Sequence, residues 1–301
     1  MNNEKQIIKR VSEAENLEQK IFICIRIFAK AFGFFSLYLF VPLAFITIGY
    51  LFFNRRNIEM VEYFAYGGTV YTALGMIATI YFLKRRAKKY NIDFISGIPE
   101  TFTKEIIEKS ILFFVFGIVT ALSLSCILTL IEKIPFIGEI IKSYSIQSQT
   151  LYAGYDLVFS LISVVLIGPV LEELIFRGYI LDIVLTAFED RTSLIIVTIG
   201  FAIMHVDGLW ILYAIAMGYI LTYVSLREDG IFYSILCHIG FNLPSAVIYL
   251  INTSSEEAKA AMGGISFILL LGTLTSLIAY ILIRHYISQS EGTYTSLFSR
   301  K

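Results

Sequence analysis

Charge is what this chain has least of. Only 16% of its 301 residues are Asp, Glu, Lys or Arg, whereas a soluble domain carries about a quarter. With 57% hydrophobic residues and a mean hydropathy of +0.74, that shortage points away from a soluble domain and toward several membrane spans. Cysteine is scarce too. Cys24, Cys126 and Cys237 lie far apart and form no CxxC pair, which leaves no basis for a zinc ribbon or a disulfide framework. The formal net charge is zero, so no basic excess marks nucleic acid as a partner, and none is expected. The first thirty residues are polar and charged and the first apolar run is too long for a signal peptide, so no cleavable leader is expected. No internal repeat and no soluble domain stand out.

What the chain does have is long apolar runs. A helical span takes roughly 20 apolar residues. Eight segments meet or approach that length: 31–53, 61–83, 111–131, 155–185, 192–206, 209–226, 230–251 and 264–284. The fifth and sixth are short and joined by "VDGLW", so they can dip or tilt. The fold class expected is all-α, a single integral membrane domain over 1–301 with about eight transmembrane helices. Lys and Arg set the orientation, because cytoplasmic loops are enriched in them. Six precede the first span and seven lie in 84–110, against five on the alternate side (Arg55, Arg56, Lys133, Lys142 and Lys259). Both termini are therefore expected in the cytoplasm. Residues 1–30 place Ile7, Val11, Leu17, Ile21 and Ile25 between charges. That pattern reads as a cytoplasmic amphipathic segment, either a lipid or substrate sensor or, the favoured reading, a lead-in helix to the first span.

Ionisable groups at membrane depth are costly, and each is by default a functional hypothesis. Three clusters qualify. In "GPVLEELIFRGYILDIVL" (168–185), Glu173 and Arg177 are four apart, about 40° from each other on a helical wheel, in the favourable order for pairing. Glu172 lies about 140° from Arg177 and is left without a local cation, as a base would be. Pro169 cannot donate to the carbonyl of Val165, and Gly168 permits close backbone approach. The alternative is a cytosol-exposed helix end with a surface ion pair. The second cluster is "FAIMH", ending at His205, which taken alone is more often a satisfied core or interface histidine than a working one. The third is "HIGFN", where His238 and Asn242 share a helix face and can aim donors at one point or can simply join helices. Depth favours a shared site: at about 1.5 Å per residue, Glu172, His205 and His238 all fall between the cytoplasmic surface and the midplane. His285, beside Arg284, reads as an interfacial anchor.

"EELIFR", "FAIMH" and "HIGFN" follow one another in the order EExxxR, FxxxH, HxxxN. This set resembles the CPBP family of intramembrane proteases, also known as Abi proteins or type II CAAX prenyl endopeptidases. The resemblance covers about 153–251, the expected catalytic core. It implies helices around a conical cavity open to the cytosol. It implies that Glu172 activates a water, assisted by His205, and that His238 and Asn242 bind the developing oxyanion. Glu173 and Arg177 then support the site, and Phe201 packs. The family is often described as metalloproteases, and Glu172, His205 and His238 are the ligands a zinc ion would take. HExxH is absent, as are GxSxG and GxGD, and no cofactor is expected. Cys237 points about 100° from His238, against a thiol dyad. The expected partners are membrane lipid and a peptide, lipidated or membrane-anchored protein substrate, in a bacterial plasma membrane. The competing reading is a non-enzymatic scaffold or bacteriocin-immunity protein, or a small transporter, although a transporter would call for paired repeats.

Overall fold

In the computed structural model the described residues are 11, 14, 16–54, 69–90, 92, 97–150, 157–205, 208–252 and, within 271–281, residues 271–272, 274–275, 277–278 and 281. Among them every regular element is helical. We number eight helices: α1 (Leu17–Asn54), α2 (Thr69–Tyr90), α3 (Lys104–Ile131), α4 (Pro135–Thr150), α5 (157–185), α6 (Asp190–Ile203), α7 (Gly208–Arg227) and α8 (Phe232–Asn252). Four of them contain stretches long and apolar enough to cross a membrane: Leu17–Phe52, Lys104–Ile131, Gly208–Arg227 and Phe232–Leu250. Of the second expected span, residues 61–68 lie outside the described residues, as do most of the eighth and His285.

Residues 17–30 are the opening turns of a single 38-residue helix, as a lead-in to the first span would be, and Lys20, Arg26 and Lys30 ride on it. Residues 135–150 form a helix that hydropathy does not announce, because Glu139, Lys142 and several serines interrupt it. Its proline stands at the first position, where no backbone donor is needed. Ile141 is buried while Phe136 is exposed, so the helix is two-faced, and it touches α7.

Small residues let the helices approach backbone to backbone, the usual device where lipid supplies no hydrophobic drive between them. A Cβ on Gly117 of α3 would strike the carbonyl oxygen of Cys237 in α8, and one on Gly240 of α8 would strike that of Phe114. The two glycines thus seat α8 on α3 from both sides. Gly75 of α2 meets Pro42 of α1 in the same way. Gly240 lies two residues from both His238 and Asn242. Gly240→Val is therefore expected to lower stability by about 3 kcal/mol, the upper part of the usual overpacking range, because the obstacle is backbone and cannot rotate away. Thermal unfolding in detergent measures it, and turnover should fall with it.

α5 runs through the middle, touched by α1, α2, α6 and α8. Its interior face carries Leu171, Ile175 and Tyr179, all fully buried and packed with Phe34, Leu83, Val197 and Phe201. The helix is not uniform. An α segment, Leu157–Ile162, gives way to a π segment, Ser163–Ile167. A short α segment, Gly168–Glu173, follows, then a second π segment, Leu174–Ile180, and a last α turn, Leu181–Leu185. The Gly168 N–H donates to Ser163 O and the Leu181 N–H to Phe176 O, each five residues back. Such wide turns are rare and cluster at functional sites. Here they bracket the two glutamates. α6 has 14 residues, roughly 21 Å at 1.5 Å each, short of a ~30 Å hydrocarbon core. It ends in a turn, with the His205 N–H donating to Ala202 O at 3.0 Å.

Candidate active site

The short α segment Gly168–Glu173 delivers two adjacent carboxylates to different surroundings. Glu173 is sealed. Its Oε1 accepts from Arg177 NH1 at 2.7 Å, and neither side chain has any exposed surface. Arg177 spends its other donors on Thr222 Oγ1 (Nε, 3.3 Å) and on the Gly218 carbonyl (NH2, 3.1 Å). Its guanidinium carbon also lies 4.5 Å from the centre of the Phe201 ring. A buried charge survives only when paired and hydrogen-bonded, and this one is met from two helices and an aromatic face.

Glu172 keeps 19% of its side chain exposed, which makes it the carboxylate of the pair that solvent or substrate can reach. Its Oε1 accepts from the Tyr38 hydroxyl at 3.2 Å. Its Oε2 faces His238 Nε2 at 3.8 Å, too long for a direct hydrogen bond but a distance that one bridging water can serve. The other nitrogen of that ring, Nδ1, donates to Glu173 Oε1 at 2.9 Å. His238 therefore stands between the two glutamates. Because Nδ1 carries a proton there, Nε2 offers a lone pair when the ring is neutral and a donor only when it is protonated.

Asn242 sits one turn beyond His238. Its Nδ2 donates to the backbone carbonyl of Val164 at 2.9 Å. The reason lies in α5. In the five-residue register of the first π segment, residue 169 would donate to Val164, and Pro169 has no N–H. Asn242 supplies the missing donor. One of its two amide hydrogens is committed to the helix, and one remains.

His205, half-buried at the end of α6, points Nδ1 at Phe201 O, 3.0 Å away. A carbonyl only accepts, so Nδ1 holds the proton and Nε2 is the lone-pair nitrogen of the neutral ring. Phe201 is the common neighbour. Its ring centre lies 4.9 Å from that of His205 and 6.0 Å from that of His238, and it meets Phe176 edge-on at 5.1 Å. Glu172, Glu173, Arg177 and His238 thus form one contact network, His205 joins it through Phe201, and Asn242 is turned toward the α5 backbone. Among the described residues no three His, Cys, Asp or Glu side chains are grouped to hold a metal ion. No step below passes through a metal. Cys237 is fully buried with its backbone against Gly117.

Tyr38 and Thr222 escape a reading of motifs. Each is one hydroxyl among several in its span, beside Ser36, Thr47 and Tyr50 in α1 and Tyr219, Tyr223 and Ser225 in α7, and only the packing of α1 and α7 on α5 singles them out. The one available clue is weak: a polar group at membrane depth asks for a partner.

Among the described residues every regular element is helical and four helices are apolar and long enough to span; with a buried network of carboxylates, guanidinium and imidazole, they define an integral membrane protein with a polar site inside it. Residues 154–244 match the family described as type II CAAX prenyl endopeptidase Rce1-like, and that stretch holds every residue of the network except Tyr38. The match supports a CAAX-protease-like intramembrane endopeptidase in general, acting on a peptide or protein. Comparisons with curated proteins and with solved structures gave no match.

Proposed function

We propose that the protein hydrolyses peptide bonds near the cytoplasmic membrane face, with Glu172 as general base. The observation that carries this reading is the unequal treatment of the two glutamates: Glu173 is sealed by Arg177 and His238, while Glu172 is partly exposed and faces His238 across 3.8 Å. A water between Glu172 Oε2 and His238 Nε2 gives up a proton to the carboxylate as its oxygen attacks the scissile carbonyl carbon. The neutral His205 accepts a hydrogen bond from the same water at Nε2. The developing oxyanion takes a hydrogen bond from protonated His238 and from the amide hydrogen of Asn242 that Val164 leaves unused. The proton on Glu172 then passes to the leaving nitrogen as the C–N bond breaks. Glu173 holds His238 in orientation, the role of the third member in nucleophile–base–orienter sets.

In this reading the site opens to the cytosol through a cavity among about eight spans, both termini are cytoplasmic, and the host membrane is a bacterial plasma membrane. Substrates are lipidated C-termini, leader peptides or membrane-anchored proteins. The test is peptidomics of membranes from cells carrying the wild type or Glu172→Gln. Peptides with new C-termini should be present in the first and missing in the second. Identical peptide populations would sink the enzymatic reading in favour of a scaffold or immunity role.

A further inference from the structure

The geometry points to Tyr38 of α1 as a positioning residue that pins Glu172 by one oxygen and presents the other to the reacting water. This rests on the reading of Glu172 as the base. α1 lies wholly outside the 154–244 family match, so the site takes an essential part from a helix that otherwise looks like a plain membrane anchor.

Three observations carry it. The Tyr38 hydroxyl donates to Glu172 Oε1 at 3.2 Å, which leaves Oε2 turned to His238. A carboxylate held at one oxygen loses the rotation about its Cγ–Cδ bond that would exchange the two, so a single oxygen is offered as base. The hydroxyl is itself held by the docking of α1. One turn earlier, and so on the same helix face, Phe34 stacks on Tyr179 of α5 with ring centres 4.6 Å apart and planes 18° from parallel. Neither ring has exposed surface. Arg86 of α2 caps this stack, with its guanidinium carbon 5.2 Å from the Phe34 ring centre. Phe34 and Tyr38 thus meet α5 at Tyr179 and Glu172 in turn, the two helices running antiparallel. Phe35 packs against the Tyr38 ring, centre to centre 6.3 Å, and fixes its plane.

Tyr38→Phe keeps the ring and removes only the hydroxyl. On a prenylated CAAX peptide in detergent micelles, kcat is expected to fall about 10- to 100-fold, the equivalent of one hydrogen bond to a charged group. KM should hold within about twofold, and the unfolding temperature should not change. A second measurement does not depend on turnover. The infrared carboxylate stretch of Glu172, assigned as the band lost in Glu172→Gln, should move in Tyr38→Phe. An unmoved band would overturn the inference, as would a moved band with kcat unchanged, or a fall in kcat that merely follows lost stability. Turnover abolished by Glu172→Gln but untouched by Tyr38→Phe would leave the hydrolytic reading standing and remove only the role of Tyr38. No turnover of this peptide by the wild type, together with identical peptide populations in wild-type and Glu172→Gln membranes, would overturn the hydrolytic reading, and the positioning role with it.

Discussion

Glu172→Gln should reduce peptide hydrolysis by about 10²- to 10⁴-fold, the range attributed to a positioned general base, while thermal unfolding stays where it is. The amide is nearly isosteric with the carboxylate. Its oxygen can still accept from Tyr38, which reaches Glu172 at 3.2 Å, so the α1–α5 contact is retained. What is lost is the ability to take a proton. The partial exposure of Glu172 is the reason stability is spared: no buried counter-charge is stranded. Purified protein assayed alongside its melting temperature decides the matter, and a loss of activity proportional to a loss of stability would count against the assignment.

Glu173→Gln should behave differently. Removing one partner of a fully buried ion pair typically costs about 3–5 kcal/mol, and Arg177 has no exposed surface through which to find water. The informative variant is the double one, Glu173→Gln with Arg177→Met. It removes the stranded charge, and Thr222 keeps its own bond to Gly218 O at 2.7 Å, so much of the lost stability should return. Activity should not return, because His238 Nδ1, now 2.9 Å from Glu173 Oε1, would have lost the carboxylate that orients it. Recovery of both stability and turnover would show that Glu173 serves the ion pair alone.

Local spacing makes some of this site readable from the chain and conceals the rest. The Glu173–Arg177 pair is a four-residue relation on one helix, and such relations survive in any helical reading. The Glu173–His238 bond joins residues 65 apart, and Tyr38–Glu172 joins residues 134 apart. No periodicity reports contacts that depend on how helices pack. Asn242 shows a subtler limit. Its place one turn after His238 fits an oxyanion donor, yet its hydrogen bond to Val164 answers a backbone vacancy created by Pro169, visible only once the π register of 163–167 is known. The long apolar helices α1, α3, α7 and α8 follow from hydropathy because a membrane core demands length. α4 does not, because it is short and polar on one side. The charges at 20, 26 and 30 suggested an amphipathic lead-in to the first span, and the uninterrupted α1 carries them on its first turns.

The two π segments of α5 have a consequence for insertions and deletions. A turn closed over five residues holds one residue more than an α turn does, so each segment amounts to a single-residue insertion absorbed without a loop. The wheel angles of an ideal helix, about 100° per residue, therefore lose phase twice along 157–185. Loss of one residue from Ser163–Ile167 would return that stretch to ordinary α geometry and relieve the wide turn. Because the wide turn already absorbs the extra residue, Glu172 and Glu173 would keep nearly their present angle to the helix preceding them and still face Tyr38 and His238. The same loss from the α segment 157–162, which has no residue to spare, would swing them about a quarter-turn: one deletion is a repair, the other a change of address for the carboxylates.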